Sequence, residues 1–145
     1  MMDETIKVAV CGAHMSGLPL NTQLTNLGAT LVSKTTTSQN YRLYYLDSFT
    51  PTRPGMIRVN KEGRGIELEV WEISLSKYGI LVSLIPAPLG IGRLELADGT
   101  WVQGFLCEGY ATESSEDISY HGGWRAFLAH QVSAKDNYLK GCLVG

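Results

Sequence analysis

The stretch Ile6-Lys7-Val8-Ala9-Val10-Cys11-Gly12-Ala13-His14-Met15-Ser16-Gly17-Leu18-Pro19 decides how the chain is read. Ile6 to Cys11 is a short apolar run with β-branched residues, the pattern of a largely buried strand, and it stops at a glycine. Gly12 to Gly17 then forms a tight loop before Pro19, a residue suited to the first turn of a helix. Leu20, Leu24 and Leu27 repeat at helical spacing and Gly28 supplies a C-terminal stop, so the opening unit is strand, glycine loop, helix.

Outward from this unit, strands outnumber helices. Ala29 to Thr37, Tyr41 to Leu46, Met56 to Val59 and Gly65 to Ile73 have strand composition, with a loop between Asp47 and Pro54. In the last of these strands Ile66, Leu68 and Val70 share one face and Glu67 and Glu69 the other, which predicts a solvent-facing side. A helix from Ser74 to about Ile85 ends at Pro86 and Pro88. Pro86 to Gly92 reads as a loop holding an unusual path against a pocket. Asp98-Gly99 marks a hairpin between Arg93 to Leu96 and Thr100 to Glu108. A short helix, Trp124 to Gln131, and a polar tail close the chain. Irregular alternation of strands and helices disfavours a Rossmann arrangement and predicts one barrel-like α+β domain over residues 1–145, with its core at about 6–130.

The chain has 145 residues, 44% hydrophobic and 18% charged, with a formal net charge of -2. That composition is globular, and no basic stretch interleaved with aromatics points to nucleic acid. No run approaches the ~20 apolar residues of a membrane span, and the acidic start Met1-Met2-Asp3-Glu4 is unlike a signal peptide, so a cytoplasmic protein is expected. Three cysteines, Cys11, Cys107 and Cys142, match neither a disulfide framework nor a CxxC metal site, and His121 and His130 show no ligand spacing with His14. Neither a metal nor a cofactor is expected.

The Gly12 to Gly17 loop is the leading candidate site, because backbone amides before a helix can converge on an anion such as a carboxylate. The competing reading is a merely tight turn. Within the loop His14 is placed to move a proton near neutral pH, or else to pack. Gly12, Ala13, Met15, Ser16, Gly17 and Leu18 would surround the ligand, with Pro88, Leu89 and Gly90 on the far side. Tyr41 and Arg42 could lean in from a neighbouring strand, Arg42 as a second carboxylate clamp, or could be a structural Tyr and a surface Arg. Glu67, Glu69, Glu72 and Glu108 are candidate bases only if one faces inward.

Several separated motifs, Val10 to Asn21, Tyr41-Arg42-Leu43-Tyr44, Ile85 to Gly92, Leu96 to Gly99, Gly104 to Glu108, and Asp117-Ile118-Ser119 through Gly122-Gly123-Trp124-Arg125, together resemble the C-terminal domain of allophanate hydrolases over about residues 6–128. The resemblance implies a γ-glutamyl cyclotransferase-like fold, a mixed β-barrel with flanking helices, whose substrate site is the loop after strand one, and it suggests a homodimer. True cyclotransferases carry a Tyr-Gly-Ser-like loop and a later acidic base. Here Gly12-Ala13-His14 takes the loop position and Pro86 to Gly92 that of the acid.

In allophanate hydrolases an amidase domain first deaminates allophanate, and the C-terminal domain is implicated in removing carbon dioxide from the product. This implies an enzyme that decarboxylates N-carboxyurea or a related carbamate, with His14 as the catalytic proton-transfer group. The sequence carries no Ser-Ser-Lys amidase motif, so the alternative is a non-catalytic binding partner of a separate amidase. A cyclotransferase-like enzyme is the third reading, with Glu72 or Glu108 as its base.

Overall fold

Val8, Ala9 and Val10 are buried on both faces of the first strand, β1 (Thr5–Val10), and this two-sided burial makes β1 the centre of a sheet. The computed structural model describes residues 3–144; Met1, Met2, Gly145 and the side chains of 136–144, including that of Cys142, lie outside the described residues. After β1 come α1 (Thr22–Thr25), β2 (Thr30–Thr36), β3 (Tyr41–Leu46), β4 (Arg53–Arg58), β5 (Glu67–Ser74) and α2 (Leu75–Ser83). β6 (Leu89–Glu95), β7 (Trp101–Cys107), β8 (Glu116–Asp117) and α3 (Trp124–Val144) complete the fold.

β1 pairs antiparallel with β5, Val8 opposite Trp71, and parallel with β7, Val8 opposite Gln103. The five-stranded sheet runs β2-β5-β1-β7-β6, and β4-β3-β8 forms a second, three-stranded sheet. The α+β class therefore stands, but the expected barrel is not closed. The edges β2 and β6 touch at one bridge, Thr37 to Leu96, supported by Ser38 N–H to Glu95 O at 2.9 Å and Ala97 N–H to Thr36 O at 3.0 Å. β2 is largely exposed, including Leu31 and Val32, and its Thr- and Ser-rich sequence buries too little apolar surface to close a seam.

Four local expectations are corrected. The helix after the glycine loop is a single turn, because Thr22, Thr25 and Asn26 are weak helix formers and Gly28 turns the chain at φ +78°. The predicted loop at Pro86 to Gly92 becomes strand from Leu89, since Leu89 pairs with Cys107 and Gly90 with Leu106. β4 begins at Arg53 rather than Met56, because Arg53 pairs with Leu46. The last helix runs to Val144 instead of ending near Gln131, with no glycine or proline between Trp124 and Lys140 to stop it.

β5 is buried on both faces at its centre. Leu68 and Val70 point one way and Glu69 and Trp71 the other, all nearly inaccessible, so the Glu69 position does not meet solvent as its parity suggested. The Asp98-Gly99 hairpin forms as read, with Gly99 at φ +86°. α3 packs on β3 through Tyr45, whose ring lies 5.0 Å from that of Phe127 and 6.1 Å from that of Trp124. Among the described residues no helix is long and apolar enough to cross a membrane.

Candidate functional site

The chain leaves β1 in two successive turns, Met15 N–H to Gly12 O at 3.0 Å and Leu18 N–H to Met15 O at 3.1 Å. Gly12 has to be glycine: a Cβ there would stand 2.4 Å from Pro54 Cδ, so the loop lies directly against the start of β4. The far half of the loop is tied to β5. Glu69 accepts from the Ser16 N–H at 2.7 Å, the Ser16 hydroxyl at 2.8 Å, Trp71 Nε1 at 3.0 Å and Arg125 Nη2 at 3.1 Å. Arg125 Nη2 also donates to the Ser16 carbonyl at 2.7 Å. Burial pushes the Glu69 carboxyl up, but these donors outweigh it and hold it below the ordinary carboxylate range.

The loop thus binds a carboxylate, and that carboxylate is its own. Ser16 is occupied by Glu69, Met15 is core, and Gly17 is exposed at φ +78°. No helix dipole assists, because the one-turn α1 starts only at Thr22.

His14 lies at the near half of the loop and is 4% exposed. Its ring packs on Phe105 at 4.7 Å, and Nε2 lies 2.6 Å from Gln23 Oε1. Burial lowers the His14 pKa, the Gln23 hydrogen bond opposes this, and the Arg53 charge lowers it further, so the net shift is downward and the ring is neutral at pH 7. With the Nε2 proton directed at Gln23, Nδ1 is the nitrogen free to gain and lose a proton.

Beside the ring is a void of about 10 Å³, lined by Gly12, Ala13, His14, Arg53, Leu89 and Phe105 among others. It is about the size of one water. A cleft of about 280 Å³ lies next to it, bounded by Leu46, Phe49, Pro88, Tyr110 and Ser115. Phe49 joins the two, since the Arg53 guanidinium sits 5.1 Å from its ring centroid. Leu89 therefore reaches the void and Pro88 the cleft, while Gly90 follows them on β6.

Tyr41 and Arg42 are not brought to His14. They stand at the end of β3 away from the Leu46–Arg53 pair, about 14 Å along the strand for Arg42 and about 17 Å for Tyr41 at ~3.4 Å per residue. Tyr41 is fully buried, its hydroxyl oxygen accepting the Glu95 N–H at 2.8 Å, and Arg42 Nε donates to Asp117 at 2.6 Å. Arg42 is consumed by that ion pair and by the Glu62 carbonyl. No Asp or Glu lines the void. Glu67 faces Arg125 at 3.7 Å, Glu72 sits on β5 opposite Lys7 and does not line the void, and Glu108 is exposed, so none supplies the base that a cyclotransferase reading needs. Cys11 is buried and its thiol is pushed up to about 12, which makes it inert as a nucleophile.

Sequence reasoning missed Arg53, and it named Glu69 only as one of four acids that mattered if they faced inward, which Glu69 does. Glu69 left a weak signal, one acid inside the apolar run Leu68-Glu69-Val70-Trp71. Arg53 left almost none, being one polar residue in a proline-bounded loop.

Residues 6–129 match the family described as the allophanate hydrolase C-terminal domain. The urea amidolyase of Lachancea kluyveri is 42% identical over 130 residues, 87% of this chain but 7% of that protein. Kluyveromyces lactis allophanate hydrolase superposes with a TM-score of 0.84 at 40% identity, over 88% of this chain and 21% of the other. A uropathogenic E. coli-specific protein superposes at 0.81 and 38% identity, over 88% of this chain and 98% of that one. A γ-glutamyl cyclotransferase, 11% identical with a TM-score of 0.53 over 79% of this chain and 70% of its own, shares the fold. The chain spans only a small part of its curated relatives, yet the match runs through almost all of the folded core, and it belongs to the allophanate hydrolase C-terminal domain family.

Proposed function

We propose that the chain acts in urea metabolism by binding a small carboxylated urea-derived carbamate, the N-carboxycarbamate left when ammonia is hydrolysed from allophanate (N-carboxyurea), beside His14 and releasing carbon dioxide from it. The observation that carries this reading is a buried, neutral imidazole on a void that holds a cationic arginine and no acidic side chain. Such a site suits an anionic substrate and a proton-transfer step.

In that step the bond between nitrogen and the carboxylate carbon breaks, the electron pair stays on nitrogen and carbon dioxide departs. The nitrogen takes a proton from His14, giving carbamate, and solvent restores the proton. A carboxylate bound beside the ring favours the imidazolium, so substrate binding itself raises the His14 pKa toward its working range. General acid help of this kind is typically worth about 10²- to 10⁴-fold. Glu69 and Arg125 contribute by fixing the loop, and Phe105 and Gln23 by fixing the ring.

The test supplies N-carboxycarbamate in place, by adding the chain to a purified amidase turning over allophanate. Carbon dioxide release that rises in proportion to the chain supports the reading, and release independent of it refutes decarboxylation. A second reading, an accessory partner of a separate amidase, draws on the small share of the relatives that this chain spans. Under that reading the chain co-elutes with the amidase and leaves carbon dioxide release unchanged.

A further inference from the structure

Among the described arginines Arg53 is the one whose chemistry the fold leaves unfinished. Its Nε and Nη1 atoms are buried and have no hydrogen-bond partner among the described residues, a condition otherwise met only by His121 Nε2. Arg42, Arg58 and Arg125 each face a carboxylate, while Arg64 and Arg93 are exposed to water. Arg53 faces no carboxylate and is half-buried, with two of its three guanidinium nitrogens shut off from water. A buried guanidinium without an acceptor is costly, and such a group persists where something outside the chain completes it.

The surroundings say what that partner is. The guanidinium lies over Phe49 at 5.1 Å, which holds its plane, and it shares the void with His14 and the side-chain-free Gly12. No acidic residue lines this void, so the negative charge has to arrive with the ligand. The void of about 10 Å³ admits no more than a small planar head group, and the cleft of about 280 Å³ past Phe49 and Pro88 leaves room for the rest.

We infer that Arg53 is the substrate-binding residue that grips the departing carboxylate of a small carboxylated carbamate, with the rest of the molecule extending into the cleft by Phe49 and Pro88. The inference rests on the proposed function for the reaction but not for the binding. It moves the carboxylate-clamp role from Arg42, which is spent on Asp117, to Arg53. A guanidinium offers paired N–H groups to a planar carboxylate, a geometry that lysine does not reproduce. It also fixes where Arg53 acts. Charge drains from the carboxylate as carbon dioxide forms, so Arg53 holds the ground state at least as firmly as the transition state and governs KM rather than kcat. Uncharged carbon dioxide then loses its hold on Arg53 and leaves.

The probe is malonamate, which keeps one carboxylate but puts a methylene where the carbamate has its bridging nitrogen and so cannot react in the same way; malonamide is its uncharged control. Calorimetry on the whole chain is expected to show malonamate bound, malonamide at least tenfold weaker, and Arg53→Gln at least tenfold weaker for malonamate. Arg53→Lys recovers part of the loss, and His14→Asn binds within about threefold of the parent. Unchanged malonamate binding by a folded Arg53→Gln, or no malonamate binding by the parent chain, overturns the inference. Should Arg53→Gln fail to fold, a crystal of the parent chain with malonamate decides: a carboxylate on the Arg53 guanidinium upholds the inference and one elsewhere overturns it. A chain that binds malonamate through Arg53 yet never speeds carbon dioxide release sinks the proposed reaction and leaves this inference intact. Accelerated release with KM untouched in Arg53→Gln does the reverse.

Discussion

Replacing Glu69 by Gln removes the charge at the centre of the loop clamp while keeping its shape. Glu69 is 2% exposed and accepts from two Ser16 groups, Trp71 Nε1 and Arg125 Nη2, so every neighbour is a donor. Glutamine brings one acceptor oxygen and an NH₂ that must face donors. Leaving a buried donor unsatisfied costs about 1–3 kcal/mol, and removing one partner of a buried ion pair about 3–5 kcal/mol. Arg125 is 36% exposed and can turn to water, which discounts the ion-pair figure.

A net destabilisation of about 2–4 kcal/mol follows for Glu69→Gln, or roughly 5–12 °C in Tm at ~3 °C per kcal/mol for a chain of this size. The pH dependence carries its own sign. Because the folded carboxyl lies below its unfolded value, its stabilisation is present above the unfolded pKa and is lost as pH falls through the folded one. The parent chain should therefore lose more stability than Glu69→Gln on acidification below about pH 4.5. Urea denaturation at pH 7 and in the acid range measures both quantities. A variant within about 0.5 kcal/mol of the parent, with the same acid slope, would refute the clamp.

Gly12→Ala places a methyl 2.4 Å from Pro54 Cδ, an overpacking expected to cost about 1–3 kcal/mol, and thermal melting reads it. Arg42→Ala breaks a half-exposed pair with Asp117, so stability should change by about 0–1 kcal/mol and malonamate affinity not at all; a large affinity loss would restore Arg42 to the site. The His14 pKa, followed by NMR, should lie below the ordinary histidine value in the free chain, rise on binding malonamate, and rise in Arg53→Gln, where a repelling charge is gone. By the same linkage, the free chain loses the contribution of neutral His14 as pH falls below the unfolded value of about 6.5 toward the lower folded one.

The parts of the fold legible in the sequence were those set by local periodicity. β3 spans Tyr41–Leu46 as its alternation suggested, and Asp98-Gly99 made the hairpin it spelled. β1 is central because Val8, Ala9 and Val10 are apolar in succession rather than in alternation. What escaped depended on distant partners. Glu69 lies 53 residues from Ser16 and 56 from Arg125, and the parity of β5 alone sent it to solvent. Arg53 is defined by what it lacks, which no sequence pattern displays. Arg42 drew attention as a strand arginine, but only the pairing of β3 with β8 shows that Asp117 holds it.

The central claim is a proton passed by His14 as the bond to carbon dioxide breaks. Its most direct measurement is the rate of carbon dioxide release from N-carboxycarbamate made in place from allophanate by an excess of purified amidase, followed by membrane-inlet mass spectrometry, for the parent and for His14→Asn at matched saturation. The account predicts a rate about 10²- to 10⁴-fold lower in His14→Asn with malonamate affinity within about threefold of the parent. Equal rates in the two chains would contradict it.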